Sequence, residues 1–271
     1  MIGLSEDDDL DRYAKMGFTP LRGALGELQF RNRYGMPFAP ARRTTFAASS
    51  PACRAVVAAR REWPGSERAV FRALQLAHFN TPLLWGDPEQ LREILSQVDG
   101  VDADRLVELL DDDEVVAEYQ ADKARARTAA GSPTELQGKA ADNGDGVRYT
   151  APSVIFETAD GRVLEAGGFQ PAAAYDVVIA NLDPTLSRQG VPEDVGELLD
   201  YFSYGLTTAE VAAVLTASND EPDRAAAEKA LLALVFDGAA ERHPLGDDAL
   251  WTRPGVPGPP RLSAGTAAVG A

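Results

Sequence analysis

The sequence predicts a mixed α/β fold, and three features along the chain carry that expectation. Helical periodicity runs through roughly residues 50–128 with no intervening strand. A short β-ribbon pattern follows at 153–165 and leads into one more helix. Beyond residue 192, a helix, a helix, a helix and a hairpin fit within about 60 residues. At 271 residues the chain is long enough to bury a proper core, as one large domain or two smaller ones. Hydrophobic residues make up 45% and charged residues 25%, which excludes wholesale disorder.

Residues 1–48 are irregular in pattern, and only Leu21–Arg33 holds a helix, with Leu21, Leu25 and Leu28 on one face. Ser50 caps the next helix, whose first position is Pro51, where a missing N–H costs nothing. It runs to about Trp63 and stops at Pro64-Gly65. Ser66 opens another, with Val70, Ala73, Leu74 and Ala77 at helical spacing. Asp87-Pro88-Glu89-Gln90 reads as a cap, a first-turn proline and a capping-box Gln ahead of Leu91, Ile94, Leu95 and Val98. Segments from Asp104 and Asp112 continue the run, the last burying Val115, Val116 and Tyr119.

The pattern changes after Gly131-Ser132-Pro133. Residues 138–146 read as an exposed loop. Ser153–Glu157 and Arg162–Glu165 form a hairpin around Asp160-Gly161, because Gly tolerates the positive φ such a turn needs. Pro171 then starts a helix with Tyr175, Val178, Ile179 and Leu182 on one face, and Pro184 closes it. After a linker at 189–192 come a helix with Leu198, Leu199 and Phe202, one capped at Thr207-Thr208, and one from Asp223 to Asp237 ended by Gly238. Arg242–Leu245 and Ala249–Thr252 make the closing hairpin, in the order of a winged helix, and 254–271 is expected as a disordered tail.

Charge and composition narrow the chemistry. With 26 Lys and Arg against 42 Asp and Glu, the net charge is −16, which opposes binding to a phosphate backbone. A single cysteine, Cys53, excludes an internal disulfide and a Cys-x-x-Cys pair within these residues. Two histidines supply a metal cluster poorly, so neither metal nor cofactor is expected. No apolar run approaches the roughly 20 residues that span a bilayer. The start lacks a secretory pattern, so no membrane partner and a cytoplasmic location are expected.

The stretch Val147–Phe156 places Ala151-Pro152 immediately before a strand, followed by a hairpin and a closing helix, all behind a long helical block. This order resembles the DsbA-like family of the thioredoxin fold, including its FrnE-type and 2-hydroxychromene-2-carboxylate isomerase relatives. The resemblance covers roughly residues 1–185. It implies a partial thioredoxin-like fold with a large all-helical insertion (about 20–130), completed by the hairpin and helix at 147–183, within a domain of 1–188. The small winged-helix-like α+β domain at 192–253 follows. It also implies that Pro152 is a cis-proline and that Thr150 and Ala151 turn backbone polar groups toward a bound thiol or extended peptide. The family's redox dyad follows a first strand that these residues do not contain. Met1–Leu4 would match the end of a second strand and serve as a third strand beside the hairpin.

No catalytic residue is assigned; Cys53 is the one candidate for a substitute nucleophile, at the third position of its helix beside Arg54, where helix-end N–H groups favour a thiolate. A small buried residue under the helices is the simpler reading. His78 reads as a hydrogen-bonded structural histidine and His243 as exposed at the start of the last hairpin. Asp111–Glu114 reads as a solvated cap, and 142–146 as a turn rather than a calcium loop. By resemblance the function is that of a thiol–disulfide oxidoreductase lacking its dyad here. The alternatives are a non-catalytic adaptor on the same scaffold, with a protein partner for the C-terminal domain, or an acidic winged-helix regulator. The last conflicts with the acidic residues flanking Arg224 and Lys229.

Overall fold

The computed structural model describes residues 6, 10–39, 43, 45–142, 144, 146–217 and 219–259. Among these the chain is mixed α/β, with twelve α-helices and three small antiparallel sheets. None of the helices is long and apolar enough to cross a membrane. Contacts group the residues into two compact units. One comprises Ala117–Val191 with Thr216–Glu221, and the other the described residues of Gly3–Val116, Pro192–Leu215 and Pro222–Ala271. This partition differs from the 1–188 and 192–253 division drawn from element order, because residues beyond 192 pack with the helices before 117. The expected strand at Met1–Leu4 lies outside the described residues, as does the tail from residue 260.

The larger unit begins with α1 (Leu10–Lys15), which the irregular pattern of residues 1–48 did not foreshadow, and α2 (Pro20–Tyr34). Thr19 caps α2 by accepting from the Arg22 N–H, and Gly35 ends it at φ 64°. The Leu21, Leu25 and Leu28 face of α2 is turned outward rather than into a core. Helix α3 (Ser50–Glu62) already includes Ser50, which is buried; Ser49 is the flanking residue, so Ser50 is not the cap expected. The interior is built from Val57 and Ala58 of α3, Val70 and Leu74 of α4 (Glu67–Asn80), Leu91 and Ile94 of α5 (Pro88–Leu95), and Leu106 of α6 (Ala103–Glu108), all with 2% exposure or less. Asp87 caps α5 through the N–H groups of Glu89 and Gln90. The Gln90 carboxamide accepts instead from Leu84 N–H and pins the preceding loop. Asp112 accepts from Glu114 and Val115 N–H at the start of α7 (Asp113–Arg125).

In the second unit α8 (Pro133–Leu136) precedes β1 (Ala140–Asp142) and β2 (Val147–Tyr149). The expected loop at 138–146 is therefore mostly a hairpin, Ala140 pairing with Tyr149, and Gly144 and Gly146 at φ 88° and 116° supply its reversal. A second hairpin pairs β3 (Val154–Glu157) with β4 (Val163–Ala166), Val154 opposite Ala166 and Glu157 opposite Val163. Continuous apolar runs of this kind suit strands covered on both faces. Here Val154, Ile155, Val163 and Leu164 remain exposed, on both faces of the ribbon. Helix α9 (Ala172–Leu182) follows and packs on β4.

The chain then re-enters the larger unit with α10 (Val195–Tyr201), β5 (Leu206–Thr207), α11 (Thr208–Val214), α12 (Arg224–Phe236), β6 (Glu241–Leu245) and β7 (Asp248–Thr252). The sheet order is β5-β7-β6, all antiparallel. Leu199, Val211, Leu231 and Trp251 form the core of this part, and Leu245 and Leu250 join Leu76 of α4. Residues 254–259 belong with the sheet rather than with a loose tail: Pro259 is buried, and a Cβ on Gly258 would lie 2.8 Å from His243 Nδ1.

Arg72 of α4, only 9% exposed, forks onto Glu210 of α11, its Nη1 2.6 Å from Oε1 and its Nη2 on Oε2. The same carboxylate completes a capping box with Thr207, accepting from the Thr207 N–H at 2.8 Å. Leaving Glu210 half-buried without its cation is costly. Arg72→Ala should lower unfolding free energy by about 3 kcal/mol in urea titrations. The double variant Arg72→Met with Glu210→Gln, which keeps the cap and removes both charges, should regain a measurable part of that loss.

Candidate functional site

The Ala151–Pro152 peptide bond is cis, and both residues are exposed. Thr150 is tied inward: its N–H and hydroxyl donate to Lys139 O at 3.3 and 2.6 Å, and its carbonyl accepts from the Ser153 hydroxyl at 2.5 Å. Its backbone polar groups are thus spent within the chain, contrary to the expectation that they face a ligand. Ser153 Oγ in turn accepts from Gly168 N–H at 2.9 Å, fastening this turn to the end of β4. Nearby, Glu165 accepts from the Tyr149 hydroxyl at 2.8 Å and the Thr134 hydroxyl at 2.7 Å. Burial alone would raise its pKa, but these donors hold it below the usual carboxylate range, while burial and Glu165 together raise that of Tyr149. Gly167 sits so close to Thr134 that any side chain there would collide with it.

Cys53 lies in α3, partly buried. Its N–H already donates to Ser49 O at 3.0 Å, so it stands one position deeper than expected and beyond the open amides of the helix end. Arg54, which would have favoured a thiolate, is directed to Asp111 at 2.6 Å. Thr150, Ala151 and Pro152 belong to one compact unit and Cys53 to the other.

The most developed cluster of polar groups lies elsewhere. His78 of α4 is stacked on Trp85, ring centroids 4.4 Å apart and 14° from parallel, and meets Phe79 edge-on. Its Nε2 is 3.2 Å from Glu27 Oε1 of α2, and Arg43 Nη1 is 2.6 Å from the same oxygen. Arg43 also donates to the carbonyls of His78 and Thr81. These groups border a cavity of about 510 Å³ whose walls include Phe30 and Phe46. Burial, and then the Arg43 charge, push the His78 pKa down to about 4. The imidazole is therefore neutral at pH 7, so its approach to the Glu27 carboxylate is not an ion pair.

The remaining sites of interest are structural. His243, expected to be exposed, has a side chain only 14% exposed. Its Nε2 lies 2.9 Å from Thr252 Oγ1, its diagonal neighbour across the β6–β7 ladder. In the acidic run, Asp111 pairs with Arg54 and Glu114 with Arg61, while Asp112 caps α7. Among the described residues no group of three or more His, Cys, Asp or Glu is arranged to hold a metal ion. The sequence singled out His78 but not Glu27, Arg43 or Trp85, which only folding brings to it: Glu27 from α2, Arg43 from the segment before α3 and Trp85 from the loop after α4. No protein-family model matches the chain, and no curated protein matches it in sequence.

The His78 geometry fixes a pH response. The unfolded chain takes up this proton near pH 6.5 and the folded chain near 4, so the stability present above pH 6.5 declines as pH falls toward 4. In carbon-detected NMR titrations the His78 imidazole should stay in its neutral form from pH 8 to about 5. His78→Phe should flatten the loss of stability across that window.

Proposed function

We propose that the chain is a DsbA-family thiol–disulfide oxidoreductase-like protein without its redox dyad in these residues, and that in these residues it binds rather than reacts. The observation that carries this reading is the exposed Ala151-Pro152 turn set directly before the β3–β4 ribbon and closed by α9. An extended peptide or thiol compound lying along this turn would be held by the ribbon's exposed apolar side chains. Catalysis within the chain lacks support. Cys53 has Arg54 turned away to Asp111 and belongs to the other compact unit. On this reading residues 192–253 are a winged-helix-like module used for protein contact. The outward side of α12 carries Leu232 and Phe236, with Phe236 89% exposed, and Glu228 and Asp237 are acidic neighbours that disfavour phosphate.

Two measurements test the reading. The purified 271-residue chain should reduce insulin with dithiothreitol no faster than dithiothreitol alone. A rate above that background, lost on Cys53→Ser, would replace the binding role with a catalytic one. In amide NMR spectra an extended, blocked peptide carrying a mixed disulfide should shift resonances at 148–156. Shifts confined to other segments would overturn the assignment of the turn as the binding site.

A further inference from the structure

The cavity bordered by Glu27, His78 and Trp85 carries an excess of positive charge, in a chain whose 42 acids outnumber its 26 bases. Its titratable side chains are Arg22, Glu27, Arg43 and His78. Arg43 Nη1 lies 2.6 Å from Glu27 Oε1, both side chains 13% exposed, so those two charges cancel. Burial and Arg43 keep His78 neutral at pH 7. Arg22 is what remains. It is exposed, lies over the Phe18 ring 4.8 Å from its centroid, and donates to Gly17 O at 3.3 Å. No carboxylate among the described residues pairs with it. Arg43 Nε and Trp85 Nε1 also lack acceptors among those residues, but both are buried and offer a guest no contact. An anion at Arg22 gains a partner and keeps much of its water, so little desolvation opposes it.

The remaining wall is mostly apolar, with Phe30, Phe46, Phe79, Leu83 and Leu84 among its residues. Its rings do not form a slot for a flat guest. Phe79 meets His78 at 82° and Phe30 at 75°, and the one near-parallel pair, His78 and Trp85, is already stacked at 4.4 Å. Walls set at such angles follow the outline of a flexible chain rather than select a plane. A volume of about 510 Å³ accommodates an alkyl chain of about eight carbons. We propose that this cavity binds an aliphatic monocarboxylate, a medium-chain fatty acid, with its chain among the aromatic side chains and its carboxylate at Arg22. All these residues lie within 18–85, in one compact unit, so the site is independent of the Ala151–Pro152 turn.

The probes are octanoate, octanamide, octylammonium and hexanoate, titrated calorimetrically into the full chain at low salt. Octanoate should bind about fivefold tighter than octanamide, as one partly exposed ion pair allows, and octylammonium should bind more weakly than either. Hexanoate should bind about tenfold more weakly than octanoate, because each buried methylene contributes about threefold to fourfold. Arg22→Gln should equalise octanoate and octanamide. Arg33→Gln removes the same charge from an exposed position of α2 outside the cavity and should preserve the preference. Gly26 lines the cavity, and a Cβ there meets nothing within 4 Å. Gly26→Met should therefore fill the space and weaken octanoate by about tenfold or more. It should leave the circular dichroism and melting temperature unchanged or raised, since Gly is a poor helix former. Equal affinities for octanoate and octanamide in the parent chain, a preference that survives Arg22→Gln, hexanoate as tight as octanoate, octanoate binding undiminished in Gly26→Met, or binding of no probe would each overturn the proposal.

Discussion

One carboxylate, Glu210, is shared between two tasks that ordinarily use separate residues. It closes the first turn of α11 through Thr207, and it receives the Arg72 guanidinium from α4. A helix start is therefore locked in register with a helix more than a hundred residues earlier. Around it the hydrogen bonds are continuous. Trp251 Nε1 donates to Thr208 Oγ1, whose hydroxyl donates to Asp248, and Arg224 reaches the other oxygen of Asp248. Connected polar networks of this kind favour a single arrangement over slipped alternatives, because a slip strands further buried donors and charges. The apolar contact of Leu76 with Leu245 and Leu250 supplies burial, while the polar network supplies direction.

The fold was legible where local chemistry and burial agree. Asp87-Pro88, Thr207 with Glu210, and Asp223 mark helix starts that the structure keeps, because short polar side chains meet the open N–H groups regardless of tertiary context. The hairpin at β3–β4 was legible for the same reason: β-branched residues flank a turn whose Gly161 takes φ 85°. Failures have equally local causes. Ser50 reads as a cap, but the helix begins one residue earlier than that and takes Ser50 into its first turn. Strand β5 is two residues long and exists only because β7 lies alongside it, so no window of sequence could announce it. Strands β1 and β2 are three residues each in a glycine-rich segment that composition assigns to a loop.

The candidate sites divide along the same line. Ala151-Pro152 was visible because a proline before an apolar run is a pattern along the chain, whereas the partners that hold Thr150 are contributed by Lys139 and Ser153 through folding. The cluster around His78 was nearly invisible. Glu27, Arg43 and Trp85 are separated from it by up to 51 positions, and each alone reads as an ordinary surface or core residue. What betrays it is mutual: a carboxylate approached by two cation-capable groups, beside an indole whose N–H has no acceptor among the described residues.

The β6–β7 reversal carries a consequence of a different kind. Gly246, at φ 56°, is wedged against Asn80 and within 2.7 Å of the Phe38 backbone as measured to an added Cβ, and Asp247 beside it holds Phe38 N–H and Arg31. Hairpin tips are ordinarily the places where proteins accept inserted sequence. This one behaves as a peg in a socket, so reporter tags, spliced segments or new chain ends introduced there would pry apart what they were meant merely to decorate.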